Sequence, residues 1–124
     1  MDITPQIPQN LNVISGYGVK GFEISEKFYQ NSVILTPNRI IEVKLASIAE
    51  FCSYDLTKIF ANEPEILLIG TGQNHQILPL NLKNNIKKQY QNIAISEMSS
   101  ASACRTYNIL MAEDRNVATL LMKL

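Results

Sequence analysis

Two segments of this chain carry residue types that could do chemistry. One is Gly70-Thr71-Gly72, which follows the aliphatic run Ile66-Leu67-Leu68-Ile69; the other runs from Ser99 and Ser100 through Cys104 and Arg105 to Asn108. Four consecutive aliphatics ending in Gly-x-Gly read as a strand buried on both faces, opening at its carboxyl end onto a loop where α/β domains keep their sites. If the amides after Gly70 meet the N-terminus of a helix starting at Ser99, the two form a small concavity that favours an anion. Cys104 falls in the first two turns of that helix beside Arg105, where the dipole and the guanidinium can lower a thiol pKa, as a nucleophile or redox sensor requires. His75 is the sole imidazole available as a base. Arg105 and Asn108 are i, i+3 neighbours that could share a carboxylate or the carbonyls of the adjacent loop.

Each of these features also has a packing explanation. The glycine loop lacks the Gly-Lys-Ser/Thr ending of a phosphate loop, and His75 stands where a third fingerprint glycine would be. A tight turn after a buried strand needs glycine for backbone reasons alone. The six small side chains of residues 99–104 let a helix approach a sheet closely. Ala103, Cys104, Tyr107, Leu110 and Met111 form one apolar face, which makes Cys104 a small core residue, and His75 reads as an exposed loop residue. Arg105 and Asn108 then read as a polar clamp fastening the helix to the glycine loop. Gly16-Tyr17-Gly18-Val19-Lys20-Gly21 matches the dinucleotide fingerprint, but Phe22, Glu23 and Ile24 continue as strand where the fingerprint needs a helix. A three-glycine hairpin or bulge explains the same residues.

The elements that must position these residues follow from periodicity. Phe22 and Ile24 alternate with Glu23 as a strand with one wet face. Residues 32–36 and 40–45 flank Pro37 and Asn38 as an antiparallel hairpin. A helix is expected from Ser53 or Asp55, with Leu56, Ile59 and Phe60 on one face and Pro64 preventing its continuation. Strand 65–70 comes next. Asn81 is placed to cap a helix carrying Leu82, Ile86 and Tyr90 on one face, with Asn92 as its C-terminal left-handed residue. Strand 93–96, helix 99–114 and strand 117–122 complete the chain. Two β–α–β passages and one hairpin predict an α/β class. A central mixed sheet carries helices, with an additional N-terminal β-hairpin region. Residues 1–11, with Pro5 and Pro8, read as an extended arm, and residues 12–124 as one domain.

Lys+Arg 11 balances Asp+Glu 11, which argues against the basic face that nucleic-acid binding requires. Two cysteines, Cys52 and Cys104, are too few for a disulfide framework, and the opening residues lack a secretory pattern, so reduced thiols in a cytoplasmic protein are expected. No apolar run approaches the ~20 residues of a membrane span.

The chain resembles a known family of small domains of unknown function. The resemblance rests on Tyr17-Gly18 with Gly21-Phe22, on residues 33–38, on Ile69-Gly70-Thr71-Gly72 with Leu78-Pro79, and on residues 103–110 followed by Ala112-Glu113. The family includes mitochondrial respiratory complex I (NADH dehydrogenase) assembly factor 3 and an adipogenesis-associated cytosolic protein. It implies a three-layer α/β domain with a mixed sheet, no established catalysis and no cofactor. A soluble helper docking on membrane respiratory-complex subunits, peripheral to the inner membrane through its partner, is the function implied. Relatives commonly open the last helix with Met-Asp-Thr-Arg, where this chain has Met98-Ser99-Ser100-Ala101. Val43 stands at a frequent tryptophan, Gln73 and Asn74 at basic residues, and Asp114 at a helix-ending glycine. The lost groups are mostly charged, which weakens an anion site more than the fold. The expected function is therefore a non-enzymatic protein-interaction domain, with neither catalytic nor metal-ligating residues. The alternative is a small-molecule or anion site, thiol-based in one form, at Gly70, Thr71, Gly72, Ser99, Ser100, Cys104, Arg105 and Asn108.

Overall fold

The computed structural model describes residues 11–45, 47–53 and 64–124. Among these residues, eight strands form two sheets. The first is antiparallel and contains β1 (Ile14–Gly18), β2 (Gly21–Ile24) and β3 (Lys27–Tyr29) in that order. The second contains β4 (Ser32–Thr36), β5 (Arg39–Val43), β6 (Ile66–Gly70), β7 (Ala94–Met98) and β8 (Val117–Leu121), in the order β5-β4-β8-β6-β7. Its β4/β5 and β4/β8 pairs are antiparallel, while β6 pairs in parallel with both β7 and β8. The sheet is mixed, as the β–α–β passages and the hairpin predict.

Two α-helices among the described residues separate the second sheet's faces into two cores. Helix α1 (Leu80–Gln89) links β6 to β7, and helix α2 (Ser100–Ala112) links β7 to β8. Side chains alternate across a strand, so Leu67 and Ile69 of β6 join Ala118 and Leu120 of β8 beneath Leu82 and Ile86 of α1. Leu68, Val117 and Leu121 face the other way, against Ala103, Cys104, Tyr107 and Met111 of α2. Ile14, Phe22 and Ile24 of the first sheet pack into this second core. β8 is buried along its whole length, which is why its sequence is an unbroken apolar run apart from Thr119.

The N-terminal glycines build a β-hairpin with a register irregularity between Ile14 and Gly16, not a cofactor loop. Gly21 has φ +141°, and a Cβ there would lie 2.1 Å from the Tyr29 carbonyl oxygen. Glycine is therefore required by both conformation and space. The sequence reading missed β3. Its turn uses Ser25 (φ 51°) and Glu26 (φ 68°), a left-handed pair that Asn-Gly usually supplies and that Ser-Glu does not announce. The Ser25 hydroxyl donates to Asn12 Oδ1 (2.9 Å) and its amide to the Val13 carbonyl (3.0 Å), which offsets part of that cost.

Other expectations need correction. Pro79, not Asn81, is the N-cap of α1 and makes no side-chain cap bond; the C-cap is Tyr90, and Asn92 is not left-handed. A short 3-10 helix spans Ile48–Ser53. The helix expected from Ser53 or Asp55 through Leu56, Ile59 and Phe60 lies largely outside the described residues, as do residues 1–10 of the arm expected over 1–11. At the end of α2, Asp114 takes φ 63°, with Arg115 N–H donating to Leu110 O (3.0 Å) and Asp114 N–H to Met111 O (3.0 Å). This is a Schellman ending with aspartate in the place that glycine usually fills.

Gly21→Ala is expected to destabilise the chain by ~1–3 kcal/mol, because the new Cβ displaces the β3 backbone. Gly18→Ala, with nothing within 4 Å of the added carbon, is expected to stay within ~0.5 kcal/mol of wild type. Urea titrations of the two variants test the contrast.

Candidate functional site

The glycine loop and the start of α2 do meet. A Cβ on Gly70 would lie 2.9 Å from Ser100 Cα and 3.2 Å from Ala103 Cβ, so the helix backbone rests almost on the strand. Ser100 is fully buried and makes three bonds that lock the contact. Its amide donates to Gly72 O (2.8 Å), its hydroxyl accepts from Gly72 N–H (2.9 Å), and the same hydroxyl donates to Met122 O (2.6 Å). One side chain thus joins the loop after β6, the end of β8 and the first turn of α2. Ser99 is the N-cap, and its hydroxyl accepts from Ser102 N–H (3.3 Å).

The loop donors are taken up in the same way. Thr71 N–H donates to Met98 O (2.8 Å). Thr71 Oγ1 shares its proton between Asn74 O (2.7 Å) and Met98 O (3.1 Å) and accepts from Gln76 N–H (3.0 Å). The amides of Thr71 and Gly72 therefore point at protein oxygens. An anion could use them only after those bonds opened.

Cys104 lies on the buried face of α2 with zero exposure, among Leu68, Val117 and Leu121. Burial pushes its thiol pKa up to about 12, and the neighbouring Arg105 charge offsets only part of that shift. A nucleophile needs the opposite shift. Burial also raises Tyr107, whose hydroxyl donates to Asn12 O (3.0 Å). The sequence reading placed Tyr107 on the apolar face and missed this bond, because an aromatic at a core position signals packing before it signals a polar tip.

Arg105 and Asn108 are turned away from the glycine loop, which corrects the expected clamp. Asn108 Oδ1 accepts from Ile14 N–H (3.0 Å), and its Nδ2 donates to Ile14 O (2.7 Å). The side-chain amide reproduces the pairing of a neighbouring strand on the outer edge of β1. Arg105 donates to the Tyr17 hydroxyl, also on β1, and its guanidinium carbon lies 6.0 Å from that ring's centre. The two side chains clamp the first sheet to α2. His75 is exposed, as expected.

Asn108→Ala is expected to cost ~2–4 kcal/mol, since both buried backbone groups of Ile14 lose their partner. Thermal and urea unfolding check this. In a Cys52→Ser chain, Cys104 is expected to resist iodoacetamide at pH 8 under native conditions and to react on unfolding. The thiol's folded pKa lies above its unfolded value near 9.0, so the stability it contributes is complete below pH 9 and is lost as pH rises towards 12. Cys104→Ala is expected to flatten alkaline denaturation by up to ~1.4 kcal/mol per pH unit over that range.

With this geometry described, comparison with known proteins places the chain. It is 36% identical over 107 residues to a "13 kDa major membrane protein" of Francisella tularensis subsp. holarctica (strain LVS), covering 84% of this chain and 85% of that one. It is 28% identical over 112 residues to the zebrafish (Danio rerio) "NADH dehydrogenase [ubiquinone] 1 alpha subcomplex assembly factor 3", covering 89% of this chain and 63% of that longer protein. A crystal structure described as an outer membrane protein from Bartonella henselae superposes with a TM-score of 0.77 at 29% identity, covering 93% of this chain and 97% of that one. Among the described residues, no helix is long and apolar enough to cross a membrane. Residues 14–122, from the first residue of β1 to just past β8, match the family described as "Protein of unknown function (DUF498/DUF598)", and the chain belongs to that family.

Proposed function

We propose that this chain is a non-enzymatic protein-interaction domain that helps to assemble respiratory complex I. The likeness to a relative named as a complex I assembly factor, extending over 89% of this chain, is the observation that carries the reading. The site geometry supports it. The groups that could have served catalysis are spent on holding the fold: Ser100 bonds to Gly72 and Met122, Asn108 to Ile14, and Cys104 sits in the core with a raised pKa. The domain acts by contact, from the cytoplasmic side, and reaches the inner membrane through its membrane-embedded partners. The Francisella relative, named as a membrane protein, fits such an attachment.

In cells depleted of the protein, native gels of solubilised membranes are expected to show intact complex I reduced severalfold. Both the wild-type chain and Cys104→Ser should restore it. Affinity capture should recover complex I subunits or their assembly intermediates. Unchanged complex I on depletion, or restoration by wild type but not by Cys104→Ser, would overturn the reading.

A further inference from the structure

Among the described residues, strand β7 is the outermost strand of the second sheet and pairs only with β6. Its bonds show which groups face outward. Ala94 N–H donates to Glu65 O (2.9 Å) and Met98 O accepts from Thr71 N–H (2.8 Å), so the backbone groups of these residues face β6. Backbone groups alternate along a strand, which leaves those of Ile95 and Glu97 on the free edge. Edges are commonly blunted by proline, lysine or a bulge. β7 contains neither residue, and its register with β6 runs unbroken from Ala94 to Met98.

Its one charge is Glu97, and the environment of that side chain is unusual. Glu97 Oε1 accepts from Lys83 Nζ of α1 at 2.9 Å, and the carboxylate side chain is 18% exposed. The second oxygen, Oε2, is shielded from water and has no hydrogen-bond partner. A shielded carboxylate oxygen without a donor is costly, and a donor brought from outside removes the cost. On an outer strand that donor arrives from the next strand, whose facing side chain sits about 5 Å away. One turn before Lys83 on α1, Leu80 is 73% exposed and offers apolar ground on the same side of the helix.

These features select among occupants. A second copy of β7 carries no lysine or arginine of its own, and its Glu97 arrives with the nearby Lys83 already engaged, which disfavours self-pairing. An apolar strand would bury the carboxylate more deeply and leave Oε2 without a donor. We propose that β7 is a docking edge for an extended segment of a partner protein that carries an arginine or lysine beside Glu97. The backbone groups of Ile95 and Glu97 give the pairing, and the cation completes the carboxylate. The proposal rests on reading the chain as an interaction domain and adds the chemistry of the partner.

The test uses short synthetic peptides of alternating threonine and valine with arginine, leucine or glutamate at the centre. Binding is followed by amide hydrogen exchange and NMR titration of the full chain. The arginine peptide is expected to slow exchange at Ile95 and Glu97 severalfold and to bind about tenfold more tightly than the leucine peptide. Glu97→Gln, shown to be folded by its unwarped spectrum, is expected to abolish that preference. No binding at millimolar peptide, equal binding of all three peptides, protection elsewhere than β7, or self-association of the free chain through β7 would each overturn the proposal. Failure of the complex I depletion experiment would leave the peptide result standing, so the two readings fail separately.

Discussion

The contact between Gly70 and the first turn of α2 is the constraint on which the rest of this structure depends. Because Gly70 has no side chain, Ser100 can bring its backbone within van der Waals reach of the end of β6. At that distance its hydroxyl spans the Gly72 amide and the Met122 carbonyl, groups that belong to the ends of two neighbouring parallel strands. A serine here does what neither alanine nor a larger residue can. Alanine would leave a buried donor and acceptor unpaired, and a larger side chain would not fit against the loop.

The direction of α2, fixed at its first turn, decides where its later turns point. Tyr107 and Asn108 come to lie against Asn12 and Ile14, so the edge of β1 is satisfied by side chains in place of a strand. The first sheet is held to the second largely through this helix and the core shared by Ile14, Phe22 and Ile24 with Val33 and Leu35. Backbone bonding from Asn12 N–H to Pro37 O (2.7 Å) adds an attachment at the β4–β5 turn. A polar clamp suits this joint because the edge groups of β1 would otherwise be buried without partners. Ser100 and Asn108 thus satisfy backbone groups at two joints along the helix, while Arg105 bonds the Tyr17 hydroxyl and Cys104 packs in the core between them.

The second sheet was legible wherever burial and sequence period agreed. Residues 66–70 and 117–121 read as strands because an unbroken aliphatic run between turn signals has few other solutions, and residues 32–36 were closed by Pro37 and Asn38. The β2–β3 turn escaped because its left-handed residues are Ser25 and Glu26, held by contacts with Asn12 and Val13 that no local pattern reveals. At the candidate site the residues were found but their partners were misassigned. Arg105 and Asn108 are neighbours on one helix face, and only the packing of the first sheet decides that this face meets β1 rather than the glycine loop. Ser100 showed the same limit. Its smallness was visible, whereas its hydroxyl partners lie on elements 28 and 22 residues away.

Both faces of the second sheet are covered, one by α1 and the 3-10 helix, the other by α2 and the first sheet. A domain built this way has little free sheet face with which to recognise another molecule. What it retains is the rim, made of the outer strands β5 and β7 and side chains such as Ile77 and Leu80, which are 87% and 73% exposed at the entry to α1. The apolar pair lies on a segment between Thr71, which anchors the loop through Asn74 and Gln76, and the first turn of α1. An apolar side chain held out from an anchored loop loses little conformational freedom on binding, because the backbone beneath it is already ordered. The joint that engages the amides of the glycine loop therefore also stiffens the adjoining rim, and contact through that rim needs no residue taken from either core.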